Sequence, residues 1–174
     1  LKEALALIHR SSEAKVDAVK FQKRDLDALY SSSILEDSNS AEWNFDYLIP
    51  MLKELELSSS DYKRIEAECS KLDLDLIITP MDEKSAEFIS TLNLAAIKIS
   101  SADMTNLGLI CKCASFKLPL IISTGMWEYE DIKSCSDFFK KKGFDFSLLL
   151  SNSTYPTPYE SISLGFLETL KGLA

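Results

Sequence analysis

The feature that most constrains this chain is a rhythm. Short β-rich runs at Val16–Gln22, Leu74–Thr79, Ala95–Ser101, Leu118–Thr124 and Phe146–Ser151 alternate with segments of helical spacing. The helical segments are predicted at Lys2–Ala14, Asp61–Leu72, Glu83–Leu92, Leu107–Phe116 and Glu128–Lys142, with a last one near Ser161–Lys171. Most runs are nearly continuous in apolar residues, which is how strands covered on both faces read. Such alternation predicts parallel strands joined by right-handed crossovers, so the expected fold class is α/β. A doubly wound sheet and a (β/α) barrel both answer to it, and five strands are too few to close a barrel of eight. The chain opens on a helix, where Leu1, Ala4, Leu5 and Ile8 have the spacing of a buried face, and it also ends on one. A strand is therefore expected upstream, and both ends read as cut.

One connection breaks the rhythm. The stretch 23–60 far exceeds the usual strand-to-helix loop of about 2–6 residues. Its serines favour a surface insertion, whereas Trp43, Phe45, Tyr47 and Leu48 favour a packed loop with a short helix over Phe45–Leu55. The 174 residues are expected to form a single domain carrying this long loop. A net charge of −8 argues against a nucleic-acid groove, which needs clustered Lys and Arg, but a few local cations can still hold a phosphorylated small molecule. No apolar run approaches the roughly 20 residues that cross a bilayer, and no leader pattern opens the chain, so no membrane partner and a cytoplasmic location are expected. Cys69, Cys111, Cys113 and Cys135 lack metal-like spacing and read as packing residues.

The ends of the apolar runs share a chemistry. They are Lys20 and Gln22, then Thr79 and Pro80, then Lys98, Ser100 and Ser101, then Ser123, Thr124 and Gly125, then Ser151–Tyr155. In parallel α/β folds the carboxyl ends of the strands form the ligand face, so these residues are expected to converge. Hydroxyls and a glycine at the end of "LIISTG" would place donors and a close backbone approach beside a ligand. Lys20 in "AVKFQ" and Lys98 in "AAIKIS" interrupt apolar runs, which is costly unless the ammonium snorkels or meets an anion. Two such lysines in similar positions favour a phosphate or carboxylate ligand.

With these residues in view, the chain resembles the sialic acid synthase family, the phosphoenolpyruvate-dependent condensing enzymes that include N-acetylneuraminate synthase. The segments "DAVKFQ" (17–22), "LKELELSSSDYKRI" (52–65), "ITPMD" (78–82), "AAIKISSADMTNLGLI" (95–110), "KLPLIISTGM" (117–126) and "YPTPYE" (155–160) carry the likeness, in the family's order. The resemblance implies a TIM-barrel fold, here an incomplete barrel lacking the first and last strands. It implies that Lys20, Thr79, Lys98, Ser101 and Ser123 line a phosphoenolpyruvate site with Tyr155 close by, that Ser153 lies near the same ligand, and that Asp103 faces an amino-sugar substrate. The activity implied is condensation of phosphoenolpyruvate with N-acetylmannosamine or a related sugar to a nonulosonic acid. A divalent metal, Mn or Mg, serves as Lewis acid in the family.

The departures are specific. The family's first strand, with its catalytic Glu, and both metal-binding histidines fall outside this chain, so no catalytic or metal-ligating residue is assigned and the piece alone is expected to be inactive. Leu150 and Ser151 stand where a His-containing pair is usual, and His9 matches no ligand and reads as a surface or helix-packing residue. Open sheet edges at the first and last strands, together with the family pattern, lead to an expected homodimer. Two alternatives stay open: a degenerate anion-binding module without catalysis, and a 3-deoxy-sugar-acid phosphate synthase, for which Arg10, Arg24 and Arg64 make a poor second phosphate site.

Overall fold

A computed structural model describes residues 1–37 and 45–174. Helix α1 is Lys2–Glu13, strand β1 Ala18–Lys23, then α2 Leu26–Leu29, α3 Ser32–Glu36, α4 Phe45–Leu55, α5 Ser59–Lys71, β2 Asp75–Pro80 and α6 Glu83–Ile89. Strand β3 is Ala96–Ile99, followed by α7 Leu107–Ser115, β4 Leu120–Ser123, α8 Tyr129–Lys142, β5 Phe146–Leu149 and α9 Phe166–Leu173. The strand order is β1-β2-β3-β4-β5, and the β2–β3, β3–β4 and β4–β5 ladders are parallel. The fold is thus α/β of the sequential TIM-barrel type, an incomplete barrel of five strands among the described residues. No helix among the described residues is long and apolar enough to cross a membrane.

Strands β3, β4 and β5 end one or two residues earlier than the runs read from the sequence, whereas β1 and β2 end one residue later. β3 stops at Ile99, because Ser101–Asp103 winds into a 3₁₀ turn, and β5 stops at Leu149 before the polar run Ser151–Thr154. The last helix starts at Phe166 and not near Ser161, since a separate 3₁₀ turn occupies Tyr159–Ser161 and Gly165 takes the N-cap. Among its described residues the long connection forms α2, α3 and α4 ahead of α5, and α4 matches the span read from the sequence. Trp43 lies outside the described residues, as do the side chains of Phe45 and Tyr47.

The chain divides into two compact units, Leu1–Leu76 with Pro80–Asn93, and Ile77–Thr79 with Leu94–Ala174. In the first, α1 packs on α5, and Ile8 and Ile65 on these helices are both wholly buried. His9 Nε2 lies 3.0 Å from a Glu68 oxygen, a helix-packing contact of the kind expected for it. Asp75 N–H donates to Asp17 O at 3.0 Å and Met81 N–H to Lys23 O at 2.9 Å, aligning β1 with both ends of β2. Helix α5 starts on a capping box, Ser58 with Asp61, and lays Tyr62 against Phe88 edge-on at 5.9 Å between centroids.

Tyr62 is 3% exposed and donates its hydroxyl hydrogen to Gln22 O. Burial pushes its phenol from an ordinary 10.0 up to about 12, with Glu56 adding and Arg24 opposing. A raised folded-state value favours the neutral phenol in the native protein. The stability it contributes is whole below pH 10 and is lost as pH rises towards 12. Against Tyr62→Phe, the wild-type protein should lose about 2 kcal/mol of its relative stability between neutral pH and about pH 11.5. Urea unfolding of both proteins across that range checks it, and parallel curves would refute it.

In the second unit the strand register sorts the faces. Ile97 pairs with Leu120 and Ile99 with Ile122, and all four are at most 1% exposed. Leu109, Ile110 and Cys113 of α7, with Ile132 and Phe139 of α8, are buried too, each such side chain worth about 1.5–3 kcal/mol. Phe139 meets Phe146 edge-on at 5.3 Å, and Ser136 Oγ donates to Leu173 O, fastening α9 to α8. Gly143 ends α8 in the left-handed conformation at φ +69°, which suits glycine. Lys98, Ile121 and Ser123 occupy the opposite face of the strands.

Candidate anion site

Alternation along β3 and β4 places one lysine and one serine on that opposite face. Lys98 Nζ, half-buried, donates to Ser123 Oγ at 2.6 Å and to Ile99 O at 2.5 Å. Ser123 itself is 9% exposed. The Ile78–Ile97 pairing puts Thr79 beside Lys98 on the next step of the ladder. Thr79 is 2% exposed, and among the described residues its Oγ1 has no hydrogen-bond partner. A buried hydroxyl left unsatisfied costs about 1–3 kcal/mol, a cost that a ligand oxygen or a water at this place would offset.

The strand ends then build a second group of hydroxyls. Ser101 opens the 3₁₀ turn after β3, and its Oγ accepts from Gly125 N–H at 3.1 Å. On the same turn Asp103 accepts from Ser100 Oγ at 2.5 Å and from Asn106 Nδ2 at 3.4 Å, which fixes its half-buried carboxylate. Thr124 turns back to β5, its N–H and hydroxyl both donating to Leu149 O at 3.1 and 3.0 Å. Trp127, half-buried, donates its indole N–H to Ser101 O at 2.6 Å.

Gly125, just after β4, is closely surrounded. A Cβ built there would lie 2.7 Å from Ser153 Oγ, 3.0 Å from Ser101 Oγ and 3.2 Å from Ser151 O. The close approach expected of this glycine is therefore made by the protein's own serines. Gly125→Ala should push both hydroxyls aside and destabilise the protein by about 1–3 kcal/mol, as overpacking does. A thermal melt checks the loss; an unchanged midpoint would mean that the serines move away without cost.

The second unit therefore brings together Lys98 with Ser123, Thr79 beside them by register, and Ser101 with Ser153 around Gly125. Asp103 shares the Ser101 turn. Lys20 belongs to the first unit, where it lies exposed on β1 with its ammonium value lowered by desolvation. Tyr155 is 90% exposed. Among the described residues no group of three or more His, Cys, Asp or Glu converges to hold a metal ion. Among the described residues the side chains at the strand ends therefore do not form a divalent-cation site. Cys69 and Cys113 are buried, and burial raises both thiols, Cys113 to about 12. These are the properties of packing cysteines.

The sequence reading did not single out Trp127, beside the site, or Asp82, in the first unit. Trp127 signals itself only as an aromatic two residues past Gly125, with no cue that its ring reaches back to Ser101. Asp82, the last residue of "ITPMD", does carry a local cue, since an Asp three residues before Ser85 is an N-cap pattern; it accepts from Ser85 N–H at 2.7 Å.

Parallel strands whose ends present an ammonium and a set of hydroxyls define an α/β protein with a candidate anion site. The sequence profile of the NeuB family matches residues 7–173, and the chain belongs to that family. It is 34% identical to N-acetylneuraminate-9-phosphate synthase of Drosophila melanogaster over 98% of its own length and 46% of the relative. It is 33% identical to N,N'-diacetyllegionaminic acid synthase of Legionella pneumophila over 98% of its length and 50% of that protein. The chain thus spans about half the length of the curated relatives it matches. The crystal structure of N-acetylneuraminic acid synthetase from Leptospira borgpetersenii, in complex with citrate, superposes with a TM-score of 0.84 at 24% identity, covering 98% of this chain and 56% of that one. Spore coat polysaccharide biosynthesis protein spsE of Bacillus subtilis gives 0.78 at 24% identity, over 98% and 45%. At these identities the likeness is one of fold.

Proposed function

We propose that this chain supplies the phosphoenolpyruvate-holding face of a nonulosonic acid synthase. The reaction is condensation of phosphoenolpyruvate with an N-acetylated amino sugar, N-acetylmannosamine or a relative, with release of phosphate. The observation that supports this most is the Lys98 ammonium bound to Ser123 Oγ beside the unpartnered, buried Thr79 Oγ1. Membership of the NeuB family supports the same reading.

Phosphoenolpyruvate carries a phosphate and a carboxylate on a small enol, so it calls for a cation and several hydroxyl donors held close together. Lys98 would offset charge on the anion, and Thr79 and Ser123 would donate to its oxygens. In the condensation the enol C3 attacks the aldehyde carbon of the open-chain sugar, water adds at C2, and phosphate departs with the original ester oxygen. Holding the enol in one orientation is the contribution these residues can make, because alignment removes much of the entropic barrier. Asp103, fixed by Ser100 and Asn106, is proposed to face the sugar.

Calorimetric titration tests the reading. Phosphoenolpyruvate should bind saturably, with inorganic phosphate competing and neutral glycerol inert. No heat up to millimolar phosphoenolpyruvate would sink it.

A further inference from the structure

The segment after β4 carries a conformation that the anion site alone does not explain. Met126 has φ +72°, in the left-handed region that non-glycine residues disfavour, and its side chain is 64% exposed, so packing does not reward it. What the turn achieves is to bring Trp127 back over the 3₁₀ turn Ser101–Asp103. The residues on either side of Met126 then grip the same serine: Gly125 N–H donates to Ser101 Oγ at 3.1 Å, and Trp127 Nε1–H donates to Ser101 O at 2.6 Å. Ser101 O already accepts from Met104 N–H at 3.3 Å within its own turn, so the indole is a second donor to that oxygen and ties this turn to the segment that follows β4.

We propose that Trp127 is a positioning residue: its indole N–H and the Gly125 amide form a two-point clamp that fixes the Ser101 hydroxyl and the turn bearing Asp103. What the clamp is for rests on the proposed function, since Ser101 is held towards the anion. The clamp itself does not depend on that reading. One bond holds the Ser101 hydroxyl oxygen and the other holds the Ser101 backbone, so the side chain and the turn that carries it are fixed together. Preorganising a donor before the ligand arrives lowers the entropic penalty of binding.

Trp127→Phe keeps an apolar ring and removes the donor. Amide exchange at Gly125 should quicken by about 5- to 10-fold, the size of one neutral hydrogen bond, while the thermal midpoint moves by a few degrees at most. Phosphoenolpyruvate affinity should fall by a similar factor of about 5–10. In a Ser101→Ala background the same substitution should change affinity by less than about twofold, because the hydroxyl it acts through is gone. Equal losses in both backgrounds would show a general structural role and overturn the proposal, as would unchanged Gly125 exchange in Trp127→Phe. Should the wild-type chain bind no phosphoenolpyruvate, the proposed function fails, and Gly125 exchange still decides the clamp. If Trp127→Phe does not fold, exchange of the indole N–H in the wild-type protein decides: protection comparable to that of the Gly125 amide supports the clamp, and exchange at the rate of a free indole overturns it.

Discussion

Lys98→Met is expected to weaken phosphoenolpyruvate binding by about 100-fold, equivalent to about 2.7 kcal/mol. Methionine keeps the length and apolar bulk of the lysine stem, so the contacts along β3 persist while the charged head is lost. A hydrogen bond from a charged donor is worth about 1.5–3 kcal/mol, and the positive charge attracts the anion besides. The Ser123 hydroxyl, 9% exposed, would also lose the donor that now orients it at 2.6 Å. Calorimetry gives the affinity, and a thermal melt of the same sample separates lost binding from lost fold. An affinity within about threefold of wild type, from a variant that melts normally, would remove Lys98 from the site. Arginine is not a neutral control here, because a planar guanidinium needs more room than the ammonium it replaces.

The lysine and the hydroxyls around it were legible in the sequence; which hydroxyl it bonds was not. A charged residue inside "AAIKIS" stands out against an apolar run, and strand periodicity puts it on the face opposite Ile97 and Ile99. Which hydroxyl it meets depends on register. Lys98 pairs with Ile121, and only the reach of the side chain along the strand brings Nζ to Ser123. The strand–helix order was legible for the same reason the fold is stable, since buried strands must be continuously apolar and covering helices must present an apolar stripe. Even the helix Phe45–Leu55 inside the long connection showed through its apolar spacing. The strand ends were not legible, because Ser100 and Ser101 read as a continuation of β3 until a side chain on another segment is seen to need them in a turn. Gly125 was read for a close approach, and the approach is real. The atoms that approach are Ser101 and Ser153 Oγ, from segments 24 and 28 residues away, and no local pattern announces them.

A contact of the same long-range kind sets the second large effect. Asp82→Ala should destabilise the first unit by about 3 kcal/mol. Asp82 is 8% exposed, and its carboxylate does two jobs. It caps α6, accepting from Ser85 N–H and Ser85 Oγ, each at 2.7 Å, and it accepts from the Asp25 backbone N–H at 2.8 Å, 57 residues earlier in the chain. Loss of a helix cap costs about 1 kcal/mol, and loss of a charged acceptor from a part-buried N–H adds about 1.5–3. The effect should spread along the chain, because Asp25 starts α2 by accepting from Ala28 N–H at 3.0 Å and pairs with Lys84 at 3.2 Å. Burial acts to raise the Asp25 carboxyl, yet Lys84 and the Ala28 N–H outweigh it and hold it below the usual range. That balance requires Asp25 to stay where Asp82 holds it. Urea unfolding should show a lower midpoint with an unchanged slope, and amide exchange should quicken first at Asp25, Ala28 and Ser85. Asp82→Asn keeps one acceptor oxygen and should lose about half as much. Equal losses for Ala and Asn would mean that the charge, and not the three hydrogen bonds, is what ties the start of the long connection to α6.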